Sequence, residues 1–318
     1  MSNNLTGYQF IRAVGKGAMG WVYLGRQTAL SRFVAIKQVL AWNGDPEALE
    51  RFRRDARALA KINHPNVVGI YNLETVGSDL YVIQEYVDGP SLKTVMAAKR
   101  LTTGQALRVI GEVSAALEYA SKQGILHRDV KPGNIFVTTA GACKLGDFGL
   151  LTMIGSQGTT SYMSPEDAAG EGEIDQRADV YSLAVMSYEL LVGRLPFPPV
   201  DGNVMASGEA RISTVPPRPH QVVPGFPARV EAVLLAGLTR DPRKRPKSAG
   251  EFWVKLADAA QKSWPGWAGE SDLAAVAAAV AASAAGGPPP PLVAVQWTLS
   301  PLDTTALMAG SEATVVQT

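Results

Sequence analysis

The sequence predicts an α+β chain in which a small β-rich part precedes a larger helical one, and three observations carry that expectation. A length of 318 residues, against about 150 for a typical domain, gives two domains or lobes with ample chain for a core. As far as Val87 the chain carries short apolar runs rich in Val, Ile, Phe and Tyr, bounded by turn residues. Past Asp88-Gly89 the apolar spacing lengthens to the threes and fours of helices.

The strands come first. Phe10-Ile11 leads into a glycine-rich turn, Trp21-Val22-Tyr23-Leu24 leads out of it, and Phe33-Val34-Ala35-Ile36 follows. Pro46 opens a charged helical run with Leu49, Phe52, Ala56 and Leu59 on one face, and Asn63-His64-Pro65-Asn66 breaks it. Val67 to Leu73 and Leu80 to Val87 read as two more strands. Ala106 to Lys122, Ala178 to Leu191 and Ala228 to Thr239 read as helices. After about Ala260 the composition shifts, through Trp264-Pro265-Gly266-Trp267, an alanine-rich segment ended by Gly286-Gly287, and the stiff spacer Pro288 to Pro291. Leu292 to Thr298 has the composition of one strand, which is not stable alone.

Thirty Lys+Arg against 29 Asp+Glu leave a formal charge of +1, so no global field draws the chain to nucleic acid or an acidic membrane surface. The single cysteine, Cys143, excludes an internal disulfide and a Cys-rich metal site, and its blandest reading is a small buried hydrophobe. Met1 to Phe10 lacks the pattern of a secretory signal. The most membrane-like stretch, Leu273 to Ala285, is thirteen residues, short of the roughly 20 a spanning helix needs. A cytoplasmic protein without a membrane span and without a nucleic-acid partner is expected.

The chemistry lies in four runs. Gly15-Lys16-Gly17-Ala18-Met19-Gly20 is a G-x-G-x-x-G sequence, and the β-branched and aromatic run after it makes it a hairpin and not a dinucleotide-binding turn, which leaves a flap over phosphates and an ordinary glycine-rich hairpin as its two readings. Val34-Ala35-Ile36-Lys37 puts one cation at the end of an apolar strand. His127-Arg128-Asp129-Val130-Lys131-Pro132-Gly133-Asn134 precedes a short strand pair around Ile135 to Leu145, and Asp147-Phe148-Gly149 follows it.

On these runs the sequence resembles the eukaryotic-type protein kinases, most closely the serine/threonine kinases of bacteria. Ser164-Pro165-Glu166, Asp179 in Ala178-Asp179-Val180-Tyr181-Ser182, and Arg245 in Asp241-Pro242-Arg243-Lys244-Arg245-Pro246 extend the resemblance from Tyr8 to about Ala260. It implies a bilobal kinase-like fold: residues 1–7 as an N-terminal extension, a kinase domain over 8–260 with lobes about 8–87 and 88–260, and 261–318 as a flexible Ala/Pro-rich tail. It implies Mg-ATP, with Mn2+ as an alternative, and protein substrates with Ser or Thr acceptors, the chain itself included, and it leaves self-association open. By resemblance Asp129 orients the acceptor hydroxyl, Lys131 reaches the transferring phosphoryl group, and Asn134 and Asp147 ligate the metal. Lys37 anchors the α- and β-phosphates. Val14, Gly15, Lys16, Gly17, Ala18, Met19, Gly20, Val22 and Ala35 enclose the nucleotide, backbone groups near Glu85 and Val87 meet the base, and Gln84 stands at the gatekeeper position. Thr159 bridges the catalytic Asp and Lys, while Glu166 and Arg245 form a structural ion bridge.

Two departures stand out. The helix glutamate that pairs with the strand lysine in the family aligns with Asp55, one methylene shorter. The activation segment from Asp147 to Glu166 is 20 residues, with Thr152 and Ser156 as the hydroxyls available for phosphorylation and Arg128 as a phosphate ligand. Ser283, Thr298, Ser300, Thr304, Thr305 and Ser311 are candidate autophosphorylation sites in the tail. The full set Lys37, Asp129, Lys131, Asn134 and Asp147 favours an active serine/threonine kinase; only Asp55 and the short activation segment speak for a nucleotide-binding scaffold, and Ser164-Pro165-Glu166 disfavours a small-molecule kinase.

Overall fold

The computed structural model describes residues 5–17, 20–39, 46–77, 79–148, 160–170, 174–197 and 214–284. Five antiparallel strands build the N-terminal lobe: β1 (Tyr8–Gly17), β2 (Gly20–Gln27), β3 (Arg32–Val39), β4 (Ile70–Val76) and β5 (Asp79–Glu85), ordered β1-β2-β3-β5-β4. Gly17 pairs with Gly20, so the glycine run closes a hairpin as its flanking residues require, and Gly20 takes φ 145°, a region open to glycine. The helix α1 (Pro46–Leu59) buries Phe52, Ala56 and Leu59 at its expected spacing.

One strand differs from expectation. Val67 to Leu73 was readable as a strand, yet the ladder begins only at Ile70. Val67 bridges Leu145, and the Val68 N–H donates to the Leu145 carbonyl at 2.9 Å. The apolar character of these two residues serves the junction with the second lobe, where both are buried.

The helical lobe begins with α2 (Leu92–Ala98) and α3 (Thr103–Lys122). A reciprocal capping box between Thr102 and Gln105 starts α3. A 3-10 turn at Pro132–Asn134 leads into the pair β6 (Ile135–Val137) and β7 (Cys143–Leu145), and α4 (Pro165–Ala169) and α5 (Gln176–Val192) follow. Every residue of α5 from Ala178 to Tyr188 is buried, as befits a helix that is largely apolar on all sides. Then come α6 (Pro219–Val222), α7 (Ala228–Gly237) and α8 (Ala249–Ser263). One apolar core runs from Val39 and Val82 through α3 and α5 to Phe252 and Leu256. Cys143 lies in it, where burial and the Glu112 carboxylate push its thiol far up from the usual range.

The chain beyond residue 260 does not begin as a flexible tail. Residues 264–284 fold back on the lobe as a 3-10 turn (Trp267–Glu270) and a helix, α9 (Ala274–Ala284), burying Leu273 and Ala277 completely. Trp264 stacks edge-on against Phe226, and Trp267 against Trp253. The start of α3 receives the strap: Thr102 Oγ1 donates to the Glu270 carbonyl at 2.9 Å and Gln105 Nε2 to the Asp272 carbonyl at 2.7 Å. Small residues permit this approach, since a Cβ on Gly104 would collide with the Trp267 and Glu270 backbone. Residues 285–318, which contain most of the proposed tail phosphosites, lie outside the described residues.

Candidate active site

The segment from His127 to Asn134 is held from below by α5. Asp179, the one carboxylate in the buried stretch of that helix, accepts the His127 N–H and the Arg128 N–H, each at 2.8 Å. These bonds hold Arg128 at φ 60°, a left-handed conformation that costs a residue with a side chain about 1–3 kcal/mol. Burial pushes the Asp179 carboxyl up, while His127 and the two amides pull against it.

His127 links this loop to the next. Its Nδ1 accepts the Asp129 N–H at 3.1 Å, so Nε2 carries the proton and donates to the Gly146 carbonyl at 2.9 Å. Its ring packs on Phe148 with centroids 4.4 Å apart. Gly146 N–H in turn donates to the Asn134 carbonyl at 2.8 Å. Asp147, the next residue, is thereby presented at φ 62°.

Asp129 is 8% exposed and its carboxylate is fully directed. Lys131 Nζ reaches both oxygens, at 2.9 and 2.7 Å, and Asn134 Nδ2 donates to Asp129 Oδ2 and to its carbonyl, each at 2.8 Å. Both partners of the Asn134 amide nitrogen are acceptors, which fixes the amide and turns Oδ1 the other way. Asn134 Oδ1 and the Asp147 carboxylate are hard oxygen donors. No group of three or more His, Cys, Asp or Glu among the described residues is arranged to hold an ion alone. Two oxygen donors suit a small divalent cation that takes its remaining ligands from phosphate and water.

The roof comes from the sheet. Gly15 pairs with Val22 and Val22 with Lys37, placing a glycine, an apolar side chain and a cation in one row across three strands. Ala35 lies beside Leu24 and Gln84, and Gln84 is buried. Lys37 is 5% exposed, and its Nζ lies 2.9 Å from Asp147 Oδ1. Val14 is exposed on β1, and Lys16 places its nitrogen 5.7 Å over the Trp21 ring. The Glu85 carboxylate pairs with Lys144 at 2.9 Å and accepts the Gly69 N–H, tying the end of β5 to β7; Val87 follows two residues on. Ala18, Met19, Thr152, Ser156, Thr159 and the Asp55 side chain lie outside the described residues.

Glu166 and Arg245 meet in a two-pronged ion pair at 2.6 and 2.8 Å. The buried guanidinium also donates to the carbonyls of Thr239, Arg177 and Arg240 and lies over the Tyr181 ring. Its donors are thus met by acceptors, the condition under which a buried charge is tolerated.

A protein kinase domain model matches residues 8–262. The chain belongs to the protein kinase family. Its relatives include the serine/threonine-protein kinase PknJ of Mycobacterium tuberculosis, 37% identical over 77% of this chain and 44% of that protein. Another is PrkC of Bacillus subtilis, 34% identical over 79% of this chain and 40% of its own length. The chain therefore spans less than half of these relatives. Among solved structures the kinase domain of M. tuberculosis PknI superimposes with a TM-score of 0.67 at 30% identity, covering 81% of this chain and 98% of that one. Family membership brings ATP and a divalent metal with it, and the oxygen donors at Asn134 and Asp147 fit that requirement.

Two residues on which the site depends carry no role that their sequence context declares. His127 and Asp179 set the loop geometry, and the available signal for Asp179 was a lone carboxylate inside an apolar helical run.

Proposed function

We propose that this chain is a serine/threonine protein kinase, transferring the γ-phosphoryl group of Mg-ATP, or of Mn-ATP, to Ser or Thr hydroxyls of proteins and of itself. The observation that carries this reading is the Asp129 carboxylate, buried, aligned by Lys131 and Asn134, and seated on a loop that α5 anchors. Asp129 aligns the acceptor hydroxyl and takes up its proton as the bond from that oxygen to the γ-phosphorus forms and the bond from the γ-phosphorus to the β,γ-bridging oxygen breaks, with ADP as the leaving group. Lys131, held within reach of Asp129, carries positive charge to the transferring group. Lys37 supplies a buried cation from the roof for the phosphates that do not transfer. Asn134 Oδ1 and Asp147 would hold the divalent cation, which when bound would neutralise phosphate charge. Positioning and neutralisation are what phosphoryl transfer asks of a protein.

The test is incubation with Mg-ATP and a generic protein substrate beside an Asp129→Asn control, with phosphosites read by mass spectrometry. Phosphate on Ser or Thr in the wild type, reduced about 10²–10⁴-fold in the variant, is expected from the loss of one general base. Nucleotide binding without transfer in the wild type overturns the reading in favour of a scaffold.

A further inference from the structure

Beside the catalytic loop, on the α2 side, opens a second cavity of about 760 Å³. Its inner wall is Lys131, Pro132 and Gly133, so it is continuous with the residues that hold Asp129. The outer wall is α2 and the turn after it, and these contribute Lys93, Lys99 and Arg100 to the lining. Among the described residues none forms an ion pair with any of these three cations.

The negative groups nearby are already engaged. Asp129 is bound by Lys131 at 2.7 Å, which occupies that lysine as well. Glu189, at the cavity's far side, accepts the Tyr162 hydroxyl at 2.6 Å. Burial pushes its carboxyl up, and only that hydroxyl pulls it down. The lining therefore presents three cations against a single carboxylate that is itself hydrogen-bonded and partly desolvated.

Two glycines line the space: Gly133, between Pro132 and Asn134 in the inner wall, and Gly193. At the end of α5, Gly193 caps the helix at φ 91°, and a Cβ there would lie 3.6 Å from the Arg100 guanidinium. Arg100 thus sits over the carbonyl end of α5, whose partial negative charge favours a cation at that place.

We infer that this cavity is the subsite for an anionic side chain of the protein substrate, a carboxylate or a phosphorylated residue flanking the acceptor hydroxyl, with Lys93, Lys99 and Arg100 as its specificity-determining residues. The inference rests on the kinase reading above and adds to it the charge of the preferred substrate. Exposed cations at the rim of a site act on encounter and binding, so the preference falls on KM and weakens with salt.

The experiment uses the full chain, Mg-ATP and synthetic peptides with one Thr acceptor, in which each flanking position in turn carries Glu, Gln, Lys or phosphoserine. Autophosphorylation is read in parallel. At one or more positions Glu is expected to lower KM roughly three- to tenfold relative to Gln, the size given by one to three exposed ion pairs. Lys there raises KM, and kcat changes little. A larger gain for phosphoserine than for Glu identifies a primed substrate; an equal or smaller one identifies an acidic sequence. In the Lys99→Ala/Arg100→Ala variant the advantage disappears while transfer to the Gln peptide persists, and Lys93→Glu in a separate variant reverses it. Equal KM for Glu and Gln peptides at every position, in an enzyme that phosphorylates them, overturns the subsite alone. Absence of transfer to every peptide and to the chain itself overturns the kinase reading with it.

Discussion

The floor and the roof of the cleft are built on different terms. On the floor the working groups are secured within the helical lobe: Asp179 holds His127 and Arg128, His127 holds Asp129 and Gly146, and Lys131 and Asn134 hold the Asp129 carboxylate. At the roof, the cation Lys37 is bound across the cleft to Asp147, the carboxylate that a metal would claim. The floor is complete before anything binds, whereas the roof has to exchange a partner. On the proposed function, preorganisation is therefore concentrated on the side that would align the acceptor hydroxyl, and adjustment is left to the side that would meet the nucleotide.

Removing the foundation of the floor gives the largest expected change in stability. Glu166→Ala leaves the buried Arg245 guanidinium without its carboxylate and should cost about 3–5 kcal/mol, read as a lowered midpoint in urea. Next in size is Asp179→Ala, which strands the His127 and Arg128 amides. A loss of about 2–3 kcal/mol is expected, with a fall in kcat that exceeds the change in nucleotide affinity. Sharpening the roof is the smallest change. Asp55→Glu restores the longer carboxylate on α1 and should raise kcat/KM a few-fold, roughly 1 kcal/mol or less, with no change in the denaturation midpoint.

The floor was largely legible in the sequence because its working residues are close in the chain. Asp129, Lys131 and Asn134 fall within one short run, and the contacts among them follow from that local spacing. What holds the run was not legible: Asp179 lies 52 residues from His127, and a carboxylate in an apolar helix does not name its partner. The helix and turn that follow Trp264 were less legible for a related reason. Alanine and glycine signal flexibility in composition, yet here they let backbones touch, with Gly104 under Trp267 and Gly141 against Ala274. The offset of β4 arose because an apolar pair can serve a sheet or a lobe junction, and only the fold shows that Val67 and Val68 join Leu145.

The contrast between floor and roof is tested most directly by a pair of double-mutant cycles in single-turnover phosphoryl transfer. Lys131 and Asn134 both grip the Asp129 carboxylate, so Lys131→Ala and Asn134→Ala together should cost far less than the product of their separate effects. Lys131→Ala and Lys37→Ala, which touch different groups on opposite sides of the cleft, should multiply. If the first pair multiplies as the second does, the floor is not one preassembled unit and the account is contradicted.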